Sequence, residues 1–399
     1  MLLLGVVGKP NVGKSTFFKA CTLASAETGN YPFVTIKPNR GIGYVKVKCA
    51  DEFFNVQCNP REGYCINHNR FVPVEMIDVA GLVPGAYEGK GMGNQFLDDL
   101  RQADVLIHVI DSSGSTNEKG EPVQPFSYDP AEDIKFLDQE LDMWFYQIFM
   151  KVWNRFSRQV SQEHLNPIKA ITKQFTGLNA SEEQVKECFQ ELNLSEDIHR
   201  WEEKTLMKFV SLLRKKTKPI IVAANKIDVP RSEENVKRLK QLFKDYEIIP
   251  ISAESELALK EASQKGLIEY IPGENDFKII RPEKLNEKQL KALEFIKKNV
   301  LDKFGSTGVQ DVINKAVFDI GKYIYVFPGG VNKLTDQHGN ILPDCFLIPK
   351  NSTALDFAYK IHSDLGDNFI KAIDVKSKKI VGKDHVLNNG DVIEIVYKK

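Results

Sequence analysis

Net charge is the first thing missing. Among 399 residues, 54 Lys and Arg are matched by 54 Asp and Glu. That balance excludes a uniformly basic surface able to coat a phosphate backbone indiscriminately, though it leaves room for a local basic patch. Long apolar runs are missing too. None approaches the roughly 18 to 20 residues of a spanning helix, so no membrane partner is expected. The opening stretch MLLLGVVGK is short for a signal core and has no basic segment before it, so a cytoplasmic location is expected. Cysteine is scarce, with six in all, and a chain of this length with so few thiols has no disulfide framework. Cys49, Cys58, Cys65 and His68 fall in one stretch. Their spacings match no C-x2-4-C zinc pattern, and the expectation is a hairpin and loop that hold small buried thiols. What remains is ordinary for a globular chain. A hydrophobic share of 42% and a charged share of 27% exclude a disordered or collagen-like protein, and the length calls for two or three domains.

Against that plain background one segment stands out. Gly8-Lys9-Pro10-Asn11-Val12-Gly13-Lys14-Ser15 has the form G-x-x-x-x-G-K-S. An apolar strand, Leu2 to Val7, precedes it, and Thr16 to Ala20 can continue as a helix, which is the context a phosphate loop requires. Gly8 and Gly13 let the backbone close around phosphate oxygens. The N–H groups of the loop, Val12 and Thr16 included, face the anion together with the helix N-terminus. Lys14 supplies a point charge to the β- and γ-phosphates, and Ser15 offers a hydroxyl to Mg²⁺.

Three further segments narrow the choice. A strand ending near Val79 leads into Asp78-Val79-Ala80-Gly81, which places the Asp78 carboxylate near Mg²⁺ and Gly81 near the γ-phosphate. A buried strand, Pro219 to Ala224, leads into Asn225-Lys226-Ile227-Asp228. The Asp228 carboxylate only accepts hydrogen bonds, so it suits the paired ring N–H and exocyclic amine of guanine, a pair adenine lacks. Asn225 can brace the loop and reach the base, and the Lys226 stem can lie over the base face. A last strand ends at Ser252-Ala253-Glu254, where a turn can present a backbone N–H to the guanine carbonyl. Thr35, in Asn30-Tyr31-Pro32-Phe33-Val34-Thr35, is the candidate switch threonine, binding Mg²⁺ and the γ-phosphate in the triphosphate state. The whole series points to a nucleotide-hydrolysing switch. A metabolic phosphotransferase would have no use for N-K-x-D followed by S-A. A binding module in which nucleotide is structural and turnover negligible is the alternative.

On these residues the chain resembles the Obg-related GTPases and, within them, the YchF family of Obg-like ATPases. Its phosphate loop is similar to that group's G-x-P-N-V-G-K-S. Asn30-Tyr31-Pro32-Phe33 with Thr35-Ile36-Lys37-Pro38-Asn39 resembles the first switch, and Gly81-Leu82-Val83-Pro84-Gly85-Ala86 with Gly89-Lys90-Gly91-Met92-Gly93-Asn94 the glycine-rich second. The resemblance implies a class with a hydrophobic residue, Leu82, where many GTPases place a water-orienting glutamine. It implies a K⁺ ion beside the phosphates, bound with the help of Asn11 and stabilising charge at the β–γ bridge; Lys14, Thr35 and Asn11 are then the expected catalytic set. It also keeps ATP open as substrate, whereas the intact N-K-x-D favours GTP.

The remaining sequence sets the domain plan. The expected fold is α/β: a doubly wound, mostly parallel G domain with an α-helical coiled-coil insertion and a C-terminal β-grasp module. A G domain needs roughly 170 residues, so a chain whose motifs run from Gly8 to Glu254 carries an insertion. Helices are expected from Pro130-Ala131-Glu132-Asp133, after Asn179-Ala180-Ser181-Glu182, and up to Leu206, Phe209, Leu212 and Leu213. The basic run Arg214-Lys215-Lys216 reads as a solvated helix end. The tail resembles a TGS domain in its alternating strand Tyr323 to Phe327, its N-cap at Ser352-Thr353, its Ile361-His362-Ser363-Asp364-Leu365-Gly366 helix end and its Asn388-Asn389-Gly390-Asp391 turn. The expected boundaries are 1–130 and 218–305 for the two parts of the G domain, 131–217 for the insertion and 306–399 for the TGS region with its leading helix. Lys376, Lys378, Lys379 and Lys383 form the best local basic patch, and His362 and His385 read as structural. The resemblance implies ribosome or RNA contact through the insertion and the TGS region, in a protein expected to be monomeric.

Overall fold

The computed structural model describes residues 2–23, 39–79 and 99–398. The chain divides into two compact units, one of residues 3–15 and 77–250, the other of residues 1–2, 16–76 and 251–399. The expected Thr35, Gly81 and Leu82, with the rest of both switch segments, lie outside the described residues.

The first of these units is built on parallel strands β1 (Leu3–Val7), β5 (Val105–Asp111), β6 (Ile220–Asn225) and β7 (Glu247–Pro250). Every residue of β1, β5 and β6 is buried. That explains why they read as unbroken apolar runs rather than alternating ones. Beside β1 the Val79 N–H donates to the Val6 carbonyl at 3.0 Å. Strand β6 follows an insertion of five helices: α2 (Ala131–Met150), α3 (Trp153–Gln162), α4 (Pro167–Gln174), α5 (Glu182–Glu191) and α6 (Glu203–Thr217). The sequence marked three of them. Asn166 caps α4 with Pro167 at its first position, and Ser181 with Gln184 forms a capping box on α5.

The aromatic stripe of α2 is a packing seam. Phe149 stacks on Phe175 at 3.7 Å between ring centroids and meets Trp153 and Phe209, while Trp201 joins Phe189 and Phe209. Across this seam Arg214, 1% exposed, bonds Asp138 at 2.9 Å and Asp142 at 2.7 Å. Lys216 bonds Glu187 at 2.8 Å and Glu191 at 2.5 Å. Of the basic run expected as a solvated helix end, Arg214 is therefore internal, whereas Lys215 is exposed and Lys216 pairs at the surface with two half-exposed glutamates.

The second unit takes α1 (Lys14–Thr22) from Thr16 onward and holds the antiparallel strands β3 (Tyr64–Ile66) and β4 (Asn69–Asp78, as far as Met76) beside β2 (Arg40–Lys48). Asn314 and Gln310, on a helix spanning Val309–Lys315, bond the Lys46 and Tyr44 backbone and so cover β2. The tail is a five-stranded sheet, β11-β10-β14-β12-β13 in order, from Tyr323–Pro328 (β10), Phe346–Pro349 (β11), Phe369–Asp374 (β12), Lys379–Val381 (β13) and Asp391–Tyr397 (β14). The β10–β14 pair is parallel and the rest antiparallel. One helix, Ala354–Ile361, crosses it, capped by Thr353 and Asp356. This is the expected β-grasp arrangement. His362 accepts from the Asp364 N–H at 3.2 Å, a capping role. No helix among the described residues is long and apolar enough to cross a membrane.

Candidate functional site: the phosphate loop and its braces

The loop after β1 is tight for reasons visible atom by atom. A Cβ on Gly8 would stand 2.5 Å from the Val109 carbonyl oxygen. Gly13 has φ +91°, and a Cβ there would stand 2.2 Å from Asn225 Nδ2. That amide occupies the space because it donates to the Val12 carbonyl at 2.8 Å. The asparagine of N-K-x-D, buried at the end of β6, thus braces the phosphate loop directly, joining two motifs more than 200 positions apart in the chain. Asn11 takes the left-handed conformation, φ 61°, and donates through Nδ2 to the Gly120 carbonyl at 2.8 Å.

At the end of the loop Lys14 Nζ pairs with Asp78 Oδ1 at 2.8 Å, and Ser15 Oγ lies 3.4 Å from Asp78 Oδ2. Two residues of the phosphate loop therefore converge on the carboxylate of a second motif. A hydroxyl and a carboxylate in reach of each other are the hard oxygen donors that Mg²⁺ prefers, so the residues present fit that ion.

Behind the loop lie charges the sequence reading did not single out. Lys226 Nζ bonds Asp111 Oδ2 at 2.9 Å and Ser115 Oγ at 3.2 Å. Asp111, fully buried at the end of β5, also accepts from the Ser113 N–H and from the Ser113, Ser115 and Thr116 hydroxyls. Burial alone would raise its pKa, but bonds from Ser113, Thr116 and Lys226 outweigh that and hold it below the usual carboxylate range. Lys9, the second residue of the loop, turns away from the phosphate side. Its Nζ bonds Asp133 Oδ1 and the Thr116 carbonyl, each at 2.9 Å, and lies 3.8 Å over the Tyr128 ring. Burial raises Asp133 to about 6 despite this partner. His108, inside β5, is held down to about 3 by burial and by the charge of Lys9. The signal for Asp111 was legible: a carboxylate at a strand end followed by Ser112-Ser113-Gly114-Ser115-Thr116. Nothing local announced Lys9, whose partner is over 120 residues away.

Asp228 sits half-buried in the turn after β6. In the other unit, Ser252 caps the helix α8 (Ala253–Gln264). Its Oγ accepts from the Ser255 N–H at 3.3 Å, and its own N–H donates to the Thr307 carbonyl at 2.9 Å. Ala253 is buried and Glu254 exposed. Thr16 is the third residue of α1, half-buried.

Three family models match the chain. A 50S ribosome-binding GTPase model covers residues 3–145, a YGR210-like Obg-like GTPase G4-motif domain covers 223–330, and a TGS domain covers 324–397. An uncharacterized GTP-binding protein of Methanocaldococcus jannaschii is 51% identical over 99% of both chains. The ribosome-binding ATPase YchF of Bacillus subtilis is 29% identical over 98% of both. A crystal structure of a GTP-binding protein from Pyrococcus horikoshii, 39% identical, superposes over the whole of both chains with a TM-score of 0.79. With its phosphate loop, braced N-K-x-D turn and β-grasp tail, the chain belongs to the YchF/Obg-like family of P-loop GTPases that carry a TGS domain.

Proposed function

We propose that this protein is a Mg²⁺-dependent switch that binds and hydrolyses GTP and acts on the ribosome or an associated RNA. The observation that carries the reading is the bond from Asn225 Nδ2 to the Val12 carbonyl. It ties the base-reading turn to the phosphate-binding loop, so that seating a base and seating a phosphate chain are one event.

The residues divide the work as follows. The N–H groups of Gly8 through Thr16 receive the phosphates at the start of α1. Lys14 exchanges its Asp78 partner for the β- and γ-phosphates. Ser15 and Asp78, with Thr35 in the triphosphate state, would hold Mg²⁺, and Gly81 would serve the γ-phosphate. When bound, Mg²⁺ neutralises charge on the phosphate oxygens. Asp228 accepts from the two guanine donors, Lys226 lays its stem along the base while Asp111 holds its head, and the Ser252–Glu254 turn meets the guanine carbonyl. The Leu82 side chain has no hydrogen-bonding atom with which to orient a water, so charge stabilisation would fall to Lys14 and to a K⁺ held at Asn11. Gly120 takes the Nδ2 side of that amide, so Oδ1 is the end that would meet the cation. The domain division is that of a G domain, 1–130 with 218–305, an insertion at 131–217 and a TGS region at 306–399. The exposed Lys378, Lys379 and Lys383 are the surface offered to a phosphate backbone.

Relatives named as ribosome-binding ATPases keep ATP as the competing substrate. The deciding experiment is a side-by-side titration of GTP and ATP at matched Mg²⁺ and K⁺, repeated on Asp228→Asn. A preference for GTP that falls by about 100-fold in the variant is expected, because a site built to pair with a donor discriminates strongly when the acceptor is lost. Equal affinity for GTP before and after the change would overturn the assignment of Asp228. Single-turnover hydrolysis with and without ribosomes separates the switch from a module that binds nucleotide without turning it over.

A further inference from the structure

The nucleotide machinery makes no use of the three cysteines between β2 and β4. Cys49 follows β2, Cys58 lies in the connecting loop and Cys65 is on β3. Their intervals along the chain argued against a metal, but the fold brings them to one point. The Cys49 and Cys58 Sγ atoms are 3.6 Å apart, and Cys65 Sγ is 3.9 Å from Asp51 Oδ2. One ligand atom from each of Cys49, Asp51, Cys58 and Cys65 lies within 4.8 Å of all the others. Sulfur ligands about 2.3 Å from a tetrahedral zinc stand about 3.8 Å from one another, so the separations across this cluster are close to those of a loaded site.

The surroundings suit an ion as well. Asp51 is fully buried. Its Oδ1 meets His68 Nδ1 at 2.9 Å, and its Oδ2, accepting from the Cys58 N–H at 3.1 Å, faces the thiols. A carboxylate held by an imidazole on its far side is a common support for a metal ligand. Arg70 is 1% exposed and, among the described residues, donates to two neutral carbonyls, Leu342 at 3.0 Å and Pro343 at 2.7 Å, while its Nε meets no partner there. Among the described residues no carboxylate lies within ion-pair distance of it. A buried cation without an anion is costly. Three thiolates and a carboxylate around a divalent ion leave two negative charges, one of which Arg70 balances.

We propose that Cys49, Cys58, Cys65 and Asp51 form a closed, four-ligand structural zinc site. Soft thiolates select zinc over the hard ions of the nucleotide site. With every position filled by protein, such a site stabilises structure rather than catalysing a reaction. What it would hold is the loop against the tail. The Asn59 N–H donates to Ile341 and the Arg61 N–H to Pro343, and Cys49, Ala50 and Cys58 share an apolar core with Phe327, Leu342, Val375 and Val392.

The test uses the full-length protein, purified without a chelating tag from cells supplied with zinc. Plasma mass spectrometry is expected to find about one zinc per chain in the wild type, and below about a tenth in Cys49→Ser and Cys58→Ser, with Cys188→Ser unchanged. Replacement by Co²⁺ is expected to give the thiolate charge-transfer and d–d bands of a tetrahedral sulfur site. Should the serine variants not fold, the wild type still decides the matter through alkylation of its own thiols. Cys49, Cys58 and Cys65 should resist reagent until a strong chelator is added, and then react together. A reduced wild-type protein that holds no zinc, takes up no Co²⁺ and is alkylated at these thiols without chelator would overturn the proposal. So would a Cys49–Cys58 disulfide in the protein as purified.

Discussion

Two basic runs of similar composition meet opposite fates in this molecule. Arg214-Lys215-Lys216, at the end of α6, is drawn inward: Arg214 is buried between Asp138 and Asp142, and Lys216 is held by Glu187 and Glu191. In the TGS region Lys376 bends back to the Gly390 carbonyl at 2.7 Å, while Lys378, Lys379 and Lys383 remain exposed. The difference lies in what the opposing element carries. Helix α2 sets aspartates at positions 138 and 142, one turn apart, so both meet the same guanidinium. The helix Ala354–Ile361 packs on the inner face of the β12–β13 hairpin, and among the described residues no carboxylate lies within ion-pair distance of Lys378, Lys379 or Lys383. Formal neutrality therefore has two components: charge cancelled within the core, and charge left on a surface where a polyanion could reach it.

The sharpest way to break this contrast is to remove the buried cation. Arg214→Met leaves Asp138 and Asp142 facing each other in a packed seam. Both keep some solvent contact, so the loss should fall at the low end for a broken buried pair, about 3 kcal/mol by urea unfolding. Arg214→Lys should recover only part of it, since an ammonium cannot fork to two carboxylates. A neutral outcome for Arg214→Met would mean the run is solvated after all.

Next in size is the cost of charging the core. His108 has its pKa depressed in the folded chain, so the unfolded chain binds more protons between about 6.5 and 3. Its stabilising contribution is complete above about 6.5 and is lost as pH falls through that window. Between pH 6.5 and pH 5 the loss should reach about 2 kcal/mol, and His108→Gln should flatten that limb in unfolding curves measured across pH. A smaller effect is expected at the tail's helix. Thr353→Ala removes the cap paired with Asp356 and should cost about 1 kcal/mol, read as a lower unfolding midpoint. Smallest in stability is the triple change Lys378→Glu, Lys379→Glu and Lys383→Glu, expected to stay within about 0.5 kcal/mol. The same variant should lose ribosome or RNA affinity and show a shallower salt dependence. Unchanged affinity at low salt would remove this patch from the binding surface.

Much of the architecture was legible because the signals were local. The buried strands β1, β5 and β6 are continuous apolar runs, and the caps at Ser181 and Thr353 mark their helices. The phosphate loop, Asp78 and N-K-x-D were recognisable as ordered motifs, and Lys14, Ser15 and Asp78 do converge. Helix α4 carried an Asn-Pro start that an eye fixed on apolar periodicity passes over. Other features depend on distant pairings. Lys9 reads as a filler position in its motif until Asp133 folds over it. The cysteine cluster defeats a spacing rule because its ligands come from a strand end, a loop and a second strand, which meet only when the hairpin closes. Arg214 reads as surface until α2 is placed opposite.

The Lys9–Asp133 pair also joins two parts that would otherwise be only chemical neighbours. Lys9 belongs to the loop that would grip phosphate, and Asp133 to the opening turn of the insertion's longest helix. An ångström of travel in one must either drag the other or tear a buried ion pair. The insertion is thereby geared to the loop, and gearing runs both ways. Anything that grips the outer helices would feel the loop's state and equally bias it, by the same free energy in each direction.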